Sequence, residues 1–135
     1  MSSKKLKSLN HYGFFDQIMK DYDETIIEIS KCLRVLMTKL PAEIFEVPWP
    51  KQSIIGYGIG PKKMTQHFCY IAPQKKYVNL GFYNGANISN LYGILEGNGK
   101  KLRHIKIYSV DDCKQQSIYD MILLAMKERL EFENC

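Results

Sequence analysis

The sequence predicts an α+β fold: a small antiparallel sheet of about four to five strands, with N-terminal and C-terminal helices packed on one of its faces. Three observations predict it. Towards both ends of the chain, apolar residues recur at steps of three and four, the period of a helix. In the middle they alternate with period two among β-branched and aromatic residues, the period of a strand. The links between the alternating runs are short, which favours antiparallel pairing over crossover connections.

The first helical region carries apolar residues at Phe15, Ile18, Tyr22, Ile26, Ile29, Leu33, Leu36 and Leu40. Asp21, Asp23 and Glu24 interrupt it with residues that start helices. A short helix near 13–20 and a longer one near 24–39 follow. Pro41 ends the second, because proline disfavours the helical state in the residue before it. The stretch Val47-Pro48-Trp49-Pro50 reads as a rigid, extended connector. Residues 1–10 read as a loose tail, and 11–135 as one domain.

Four strands are expected near 53–59, 66–72, 77–83 and 104–108. Ile55 and Tyr57 oppose Gly56 and Gly58 in the first, and Phe68, Tyr70 and Ala72 oppose His67, Cys69 and Ile71 in the second. Val78, Leu80 and Phe82 form the apolar side of the third, and Ile105 and Ile107 that of the fourth. The opposite side then carries Tyr77, Asn79, Tyr83, His104, Lys106 and Tyr108, a polar and aromatic face. Residues 84–99 read as a loop with a helical turn at Ile94-Leu95. A last helix begins near Ser117, where Ser117 and Asp120 have capping-box spacing. Glu128, Glu131 and Glu133 oppose the dipole at its end, which is expected to fray.

The charge layout is uneven. From Lys51 to Lys106 there are nine Lys/Arg and one acid, Glu96, while the other acids gather towards the ends. Such a middle favours an anionic small molecule or an acidic partner, and nucleic acid is compatible with it. Lys62, Lys63, Lys100, Lys101 and Arg103 are expected to form one basic patch. The loop Gly97-Asn98-Gly99 and the strand after it are expected to line the functional face. The candidate ligand-binding residues are Asn79, Tyr83, Lys100, Lys101, Arg103, His104, Lys106 and Tyr108. Arg103 is positioned to pair with Glu96 and brace the loop.

Nucleotide and catalytic motifs are missing. Gly99-Lys100 lacks the first glycine of a P-loop, since Ile94 stands there, and Lys101 replaces the magnesium-holding hydroxyl. GYGIGPKK at 56–63 lacks the GxGxxG spacing. His11, His67 and His104 make no metal pair, the cysteines make no CxxC, and GxSxG is absent. No catalytic residue and no resident cofactor are assigned. No apolar run is long enough to span a bilayer, and the basic start lacks a secretory apolar stretch. The expected location is the cytoplasm, with the cysteines reduced.

YVNLGFYNGA at 77–86, GILEGNGKKLRHIKI at 93–107 and Leu33-Arg34 make the chain resemble the YdhG-like domain family, over roughly residues 25–125. The chain departs from the family's Leu-Pro-Asp-Pro-like turn, carrying Ile88-Ser-Asn-Leu91 there. The resemblance implies an α+β fold with helices flanking a small antiparallel sheet, and a domain of unassigned function. Some relatives are described as frataxin-like iron chaperones. Iron as cargo would call for hard oxygen ligands, and Asp21, Glu24 and Glu28 have the helical spacing to offer them. The leading expectation is a binding or interaction domain, followed by the iron chaperone and then a small-molecule enzyme.

Overall fold

A computed structural model describes residues 6–133. Among them are six strands and five helices, an α+β fold. The order is β1 (Leu6–Ser8), α1 (Phe15–Met19), α2 (Glu24–Thr38), β2 (Ile44–Trp49), β3 (Ile54–Gly58), α3 (Lys63–Gln66), β4 (His67–Pro73), β5 (Val78–Phe82), β6 (Arg103–Ile107), α4 (Val110–Cys113) and α5 (Gln116–Glu133). A 3-10 turn at Gly85–Asn87 follows β5. No helix of the described residues is long and apolar enough to cross a membrane.

The sheet is ordered β1-β2-β3-β4-β5-β6. From β2 to β6 it is an antiparallel meander, as the short links require, but β1 joins β2 in parallel. The sheet is therefore larger than expected and mixed. The two extra strands come from segments read as a connector and a tail. In β2 the prolines suggested a connector. However, β1 pairs only as far as Glu46, so Pro48 lies on the open edge beyond it, where proline is tolerated in sheets. In β1, Leu6–Ser8 pairs with Ile44–Glu46, and Ser8 Oγ donates to Glu46 at 2.8 Å. Residues 1–5 of the expected tail lie outside the described residues.

The alternation predicts the buried side of the sheet. Ile55, Tyr57, Ile71, Val78, Leu80, Phe82, Ile105 and Ile107 are all buried in one core. Ile29, Leu33 and Met37 of α2 and Ile118, Met121, Ile122 and Ala125 of α5 belong to the same core, so both long helices cover one face. Asp23 caps α2 by accepting from the Ile26 amide at 3.1 Å. The expected Ser117–Asp120 capping box is replaced. Asp120 accepts from Gln116 at 2.9 Å and from the Tyr92 hydroxyl, tying the long loop to α5. Tyr92, then Gln116, hold the Asp120 carboxyl below its usual range.

One alternation breaks. The register slips between Tyr57 and Gly58, so two residues of β4 meet one of β3. A bulge of this kind re-aims side chains. Phe68 and Cys69 both enter the core, while the His67 ring lies over Gly56 and Gly58 on the opposite side.

A fully buried carboxylate locks the first half of the chain. Glu46 accepts from Arg34 Nε at 2.7 Å, Arg34 Nη2 at 2.8 Å, Tyr57 Oη at 2.7 Å and Ser8 Oγ at 2.8 Å. Arg34 also stacks over Phe15, 4.4 Å from its ring centre. Burial works against the Arg34 charge, but the Glu46 carboxylate outweighs it and raises the guanidinium pKa. The network joins β1, α2, β2 and β3 through one residue.

Candidate functional site

A cleft of about 390 Å3 opens at one end of the sheet. Its walls are Lys63 and Met64 of α3, Tyr83 and Asn84 after β5, Asn87 of the 3-10 turn, Lys101 and Leu102 before β6, and Glu128, Arg129 and Phe132 of α5. The volume falls within the range of small-molecule pockets, and a few polar groups among apolar ones is their usual make-up. Lys63 and Lys101 come from the two basic loops, so these loops meet across the cleft.

Near the end of α5, two charged residues, Glu128 and Arg129, have partners. Asn84 Nδ2 donates to Glu128 Oε2 at 2.7 Å. Arg129 is only 5% exposed. Its Nη2 donates to Glu128 Oε1 at 3.3 Å and its Nη1 to the Met64 carbonyl at 3.4 Å, and it stacks on Phe132. Arg129 Nε and the Tyr83 hydroxyl are buried without a partner among the described residues. Burial, then the Cys69 and Tyr70 groups, push the Tyr83 hydroxyl pKa up, so it remains a neutral donor. The cleft thus holds three cations, Lys63, Lys101 and Arg129, against Glu128, whose carboxylate is already engaged by Asn84 and Arg129.

Behind the cleft, the open face of the sheet carries a row of rings. Trp49 and His67 have centroids 5.5 Å apart, His67 and Tyr83 6.1 Å, and Tyr83 and Tyr70 5.0 Å. Glycines provide their seats. A Cβ on Gly81 would lie 2.0 Å from the Tyr70 ring, and one on Gly56 would lie 2.5 Å from Trp49. His67 is fully buried, and neither ring nitrogen has a hydrogen-bond partner of good geometry among the described residues. Burial, then the Lys63 charge, pull its pKa down to about 4, with the Pro61 backbone opposing them.

Of the residues expected to bind ligand, Tyr83 and Lys101 line the cleft. Asn79, His104 and Lys106 lie on the open face, opposite the buried Val78, Leu80, Ile105 and Ile107. Tyr108 is exposed, with its ring 5.5 Å from that of Tyr77. Lys100 is exposed on the loop. Arg103 braces that loop, but not through Glu96. Its Nη1 donates to the carbonyls of Gly99 and Leu102, both at 2.7 Å. Glu96 instead bridges to His104 across an isolated pair and lies 3.6 Å from His104 Nε2 and 3.9 Å from Lys106 Nζ. Gly97 adopts φ 117°, a left-handed geometry suited to glycine, so it shapes the turn. The helical turn of the loop falls at Gly85–Asn87 rather than at Ile94-Leu95. Glu24 and Glu28 lie in the first turns of α2 but Asp21 lies in the turn before it, so the three do not share one helix, and among the described residues no three His, Cys, Asp or Glu side chains converge to hold a metal.

Sequence reasoning passed over Arg129, Glu128, Asn84, Trp49 and Tyr70. For Arg129 the available signal was a lone arginine among apolar helical positions, at Leu130 and Met126. Comparison with family models, curated proteins and solved structures returns no match for the chain.

Proposed function

We propose that the chain is a small non-enzymatic binding module that takes an anionic small molecule in the cleft between α3, the β5–β6 connection and α5. The observation that carries this reading is the meeting of Lys63, Lys101 and Arg129 at one cleft with a single, already engaged carboxylate. An anion there gains charge-assisted hydrogen bonds from lysine and arginine. The aromatic and apolar walls, Tyr83, Leu102 and Phe132, favour an anion with a flat or apolar part. Membership of the YdhG-like family belongs to the same proposal, supported by the α+β class and the placing of both long helices on one face. A cytoplasmic location is supported by the free thiols of Cys32, Cys69 and Cys113.

The test is a thermal-shift screen of inorganic phosphate, nucleoside phosphates and small carboxylates. At least one is expected to raise the Tm of the wild type, with no comparable shift in the Lys63→Ala, Lys101→Ala double variant. No shift in the wild type, or an equal shift in the folded variant, refutes the reading.

A further inference from the structure

We propose that the open face of the sheet binds single-stranded nucleic acid, stacking bases on Trp49, Tyr70 and Tyr77 and meeting phosphates with Lys7, Lys63 and Lys106. This goes beyond the cleft and rests on a different set of residues, with only Lys63 in common.

The first ground is how the rings are seated. Gly81 and Gly56 lack the Cβ atoms that would collide with Tyr70 and Trp49. A ring resting on a glycine lies against the backbone on one side, with its other face turned away from the strand. Trp49 and Tyr70 are half-buried, as this arrangement requires, and Tyr77 is half-buried beside Tyr108.

The second ground is the placing of charge. Lys63 Nζ lies 5.2 Å from the Trp49 ring centre, Lys106 Nζ 5.3 Å from Tyr77, and Lys7 Nζ 5.6 Å from Phe45. Each of these cations lies over a ring, so positive charge sits at the rings themselves. Single-stranded nucleic acid repeats a flat base and a phosphate, and proteins that bind it combine stacking rings with a basic track. The only carboxylate between Lys51 and Lys106 in the sequence, Glu96, lies 3.9 Å from Lys106 Nζ, which offsets its charge. The face thus complements a polyanion.

The third ground is extent. Six strands spaced about 4.8 Å apart span roughly 24 Å, enough for several nucleotides. A duplex has its base faces covered and cannot use the rings. An acidic peptide matches the lysines but not the rings.

Trp49 is the single tryptophan of the chain, so its fluorescence reports on this face directly. Oligothymidylate of about a dozen nucleotides is titrated into the full chain while Trp49 emission and the anisotropy of a labelled strand are followed. Binding is expected to quench Trp49 and to weaken steeply with added salt. Tyr70→Ala is expected to bind roughly five- to a hundredfold more weakly, and Tyr70→Phe to bind like the wild type. Circular dichroism checks that both variants fold. Three results overturn the proposal: no quenching at low salt, equal quenching by polyglutamate or by a duplex of the same length, or undiminished binding by folded Tyr70→Ala. Failure of anion binding in the cleft leaves these outcomes unaffected, because the readouts are Trp49 and Tyr70 rather than Lys101.

Discussion

Replacing His67 by phenylalanine should flatten the acid side of the stability profile. The folded pKa of His67 is about 4, against an ordinary value of 6.5. Between those values the unfolded chain holds a proton that the folded chain refuses. Its contribution to stability is therefore complete above about pH 6.5 and is lost as pH falls towards 4. At about 1.4 kcal/mol per pH unit, the full gap is worth roughly 3 kcal/mol, of which about 2.5 develops between pH 7.5 and 4.5. The ring is fully buried, so solvent screening removes little of this. Its surroundings agree, since Trp49, Tyr83 and Lys63 face it and no acid among the described residues contributes to its shift. The assay is urea denaturation of wild type and His67→Phe at both pH values. Any strain from the larger ring enters at both and cancels in the difference. The wild type should lose about 2.5 kcal/mol more than the variant on going to pH 4.5. Parallel losses, or a His67 ring that titrates near 6.5 by NMR, refute the reasoning.

Two further perturbations probe the frame. Arg34→Ala leaves Glu46 fully buried with two of its four hydrogen bonds, and should cost about 3 kcal/mol in urea denaturation, the lower end for breaking a buried pair, because Arg34 is itself partly exposed. Gly81→Ala puts a methyl 2.0 Å from the Tyr70 ring; it should displace that ring, visible as altered Tyr70 proton shifts, and cost about 1 kcal/mol, since a ring swings aside more easily than backbone.

Much of the frame is legible in the sequence because it is periodic. The steps of three and four from Phe15 to Leu40 and the alternation in Val78–Phe82 each place residues on a face, and those faces are the buried ones. The bulge at Tyr57/Gly58 is not legible, since it depends on how two strands pair and no single strand records it. It decides that His67 joins the ring row on the open face. The strand in Ile44–Trp49 was hidden by Pro48, whose meaning depends on where β1 stops. The cleft was half legible. Lys63 and Lys101 stand out as charge, but Arg129 and Glu128 face it only because α5 packs against β4 and meets Asn84 and Met64 in space. The expected Glu96–Arg103 pair followed closeness in sequence. The β6 pairing puts His104 and Lys106 beside Glu96 instead, and turns Arg103 onto its own loop.

The residues behind the YdhG-like resemblance have structural duties that explain their identity. In Leu33-Arg34, Leu33 fills the core while Arg34 clamps Glu46. In YVNLGFYNGA, Val78, Leu80 and Phe82 fill the core and Gly81 seats Tyr70. Gly85 lets Arg103 approach, where a Cβ would lie 2.5 Å away, and Asn84 holds Glu128. Those duties fix the backbone at the end of β5 to within a side chain's reach of α5 and of Lys101. The frame therefore determines where the cleft and the ring face lie. The side chains free of these duties, Lys63, Lys101, Trp49 and Tyr77 among them, are the ones through which a ligand would be chosen. A substitution in the first group should alter stability, and one in the second should alter binding at nearly unchanged stability. Arg34→Ala and Lys101→Ala are the two variants on which that division is most directly read.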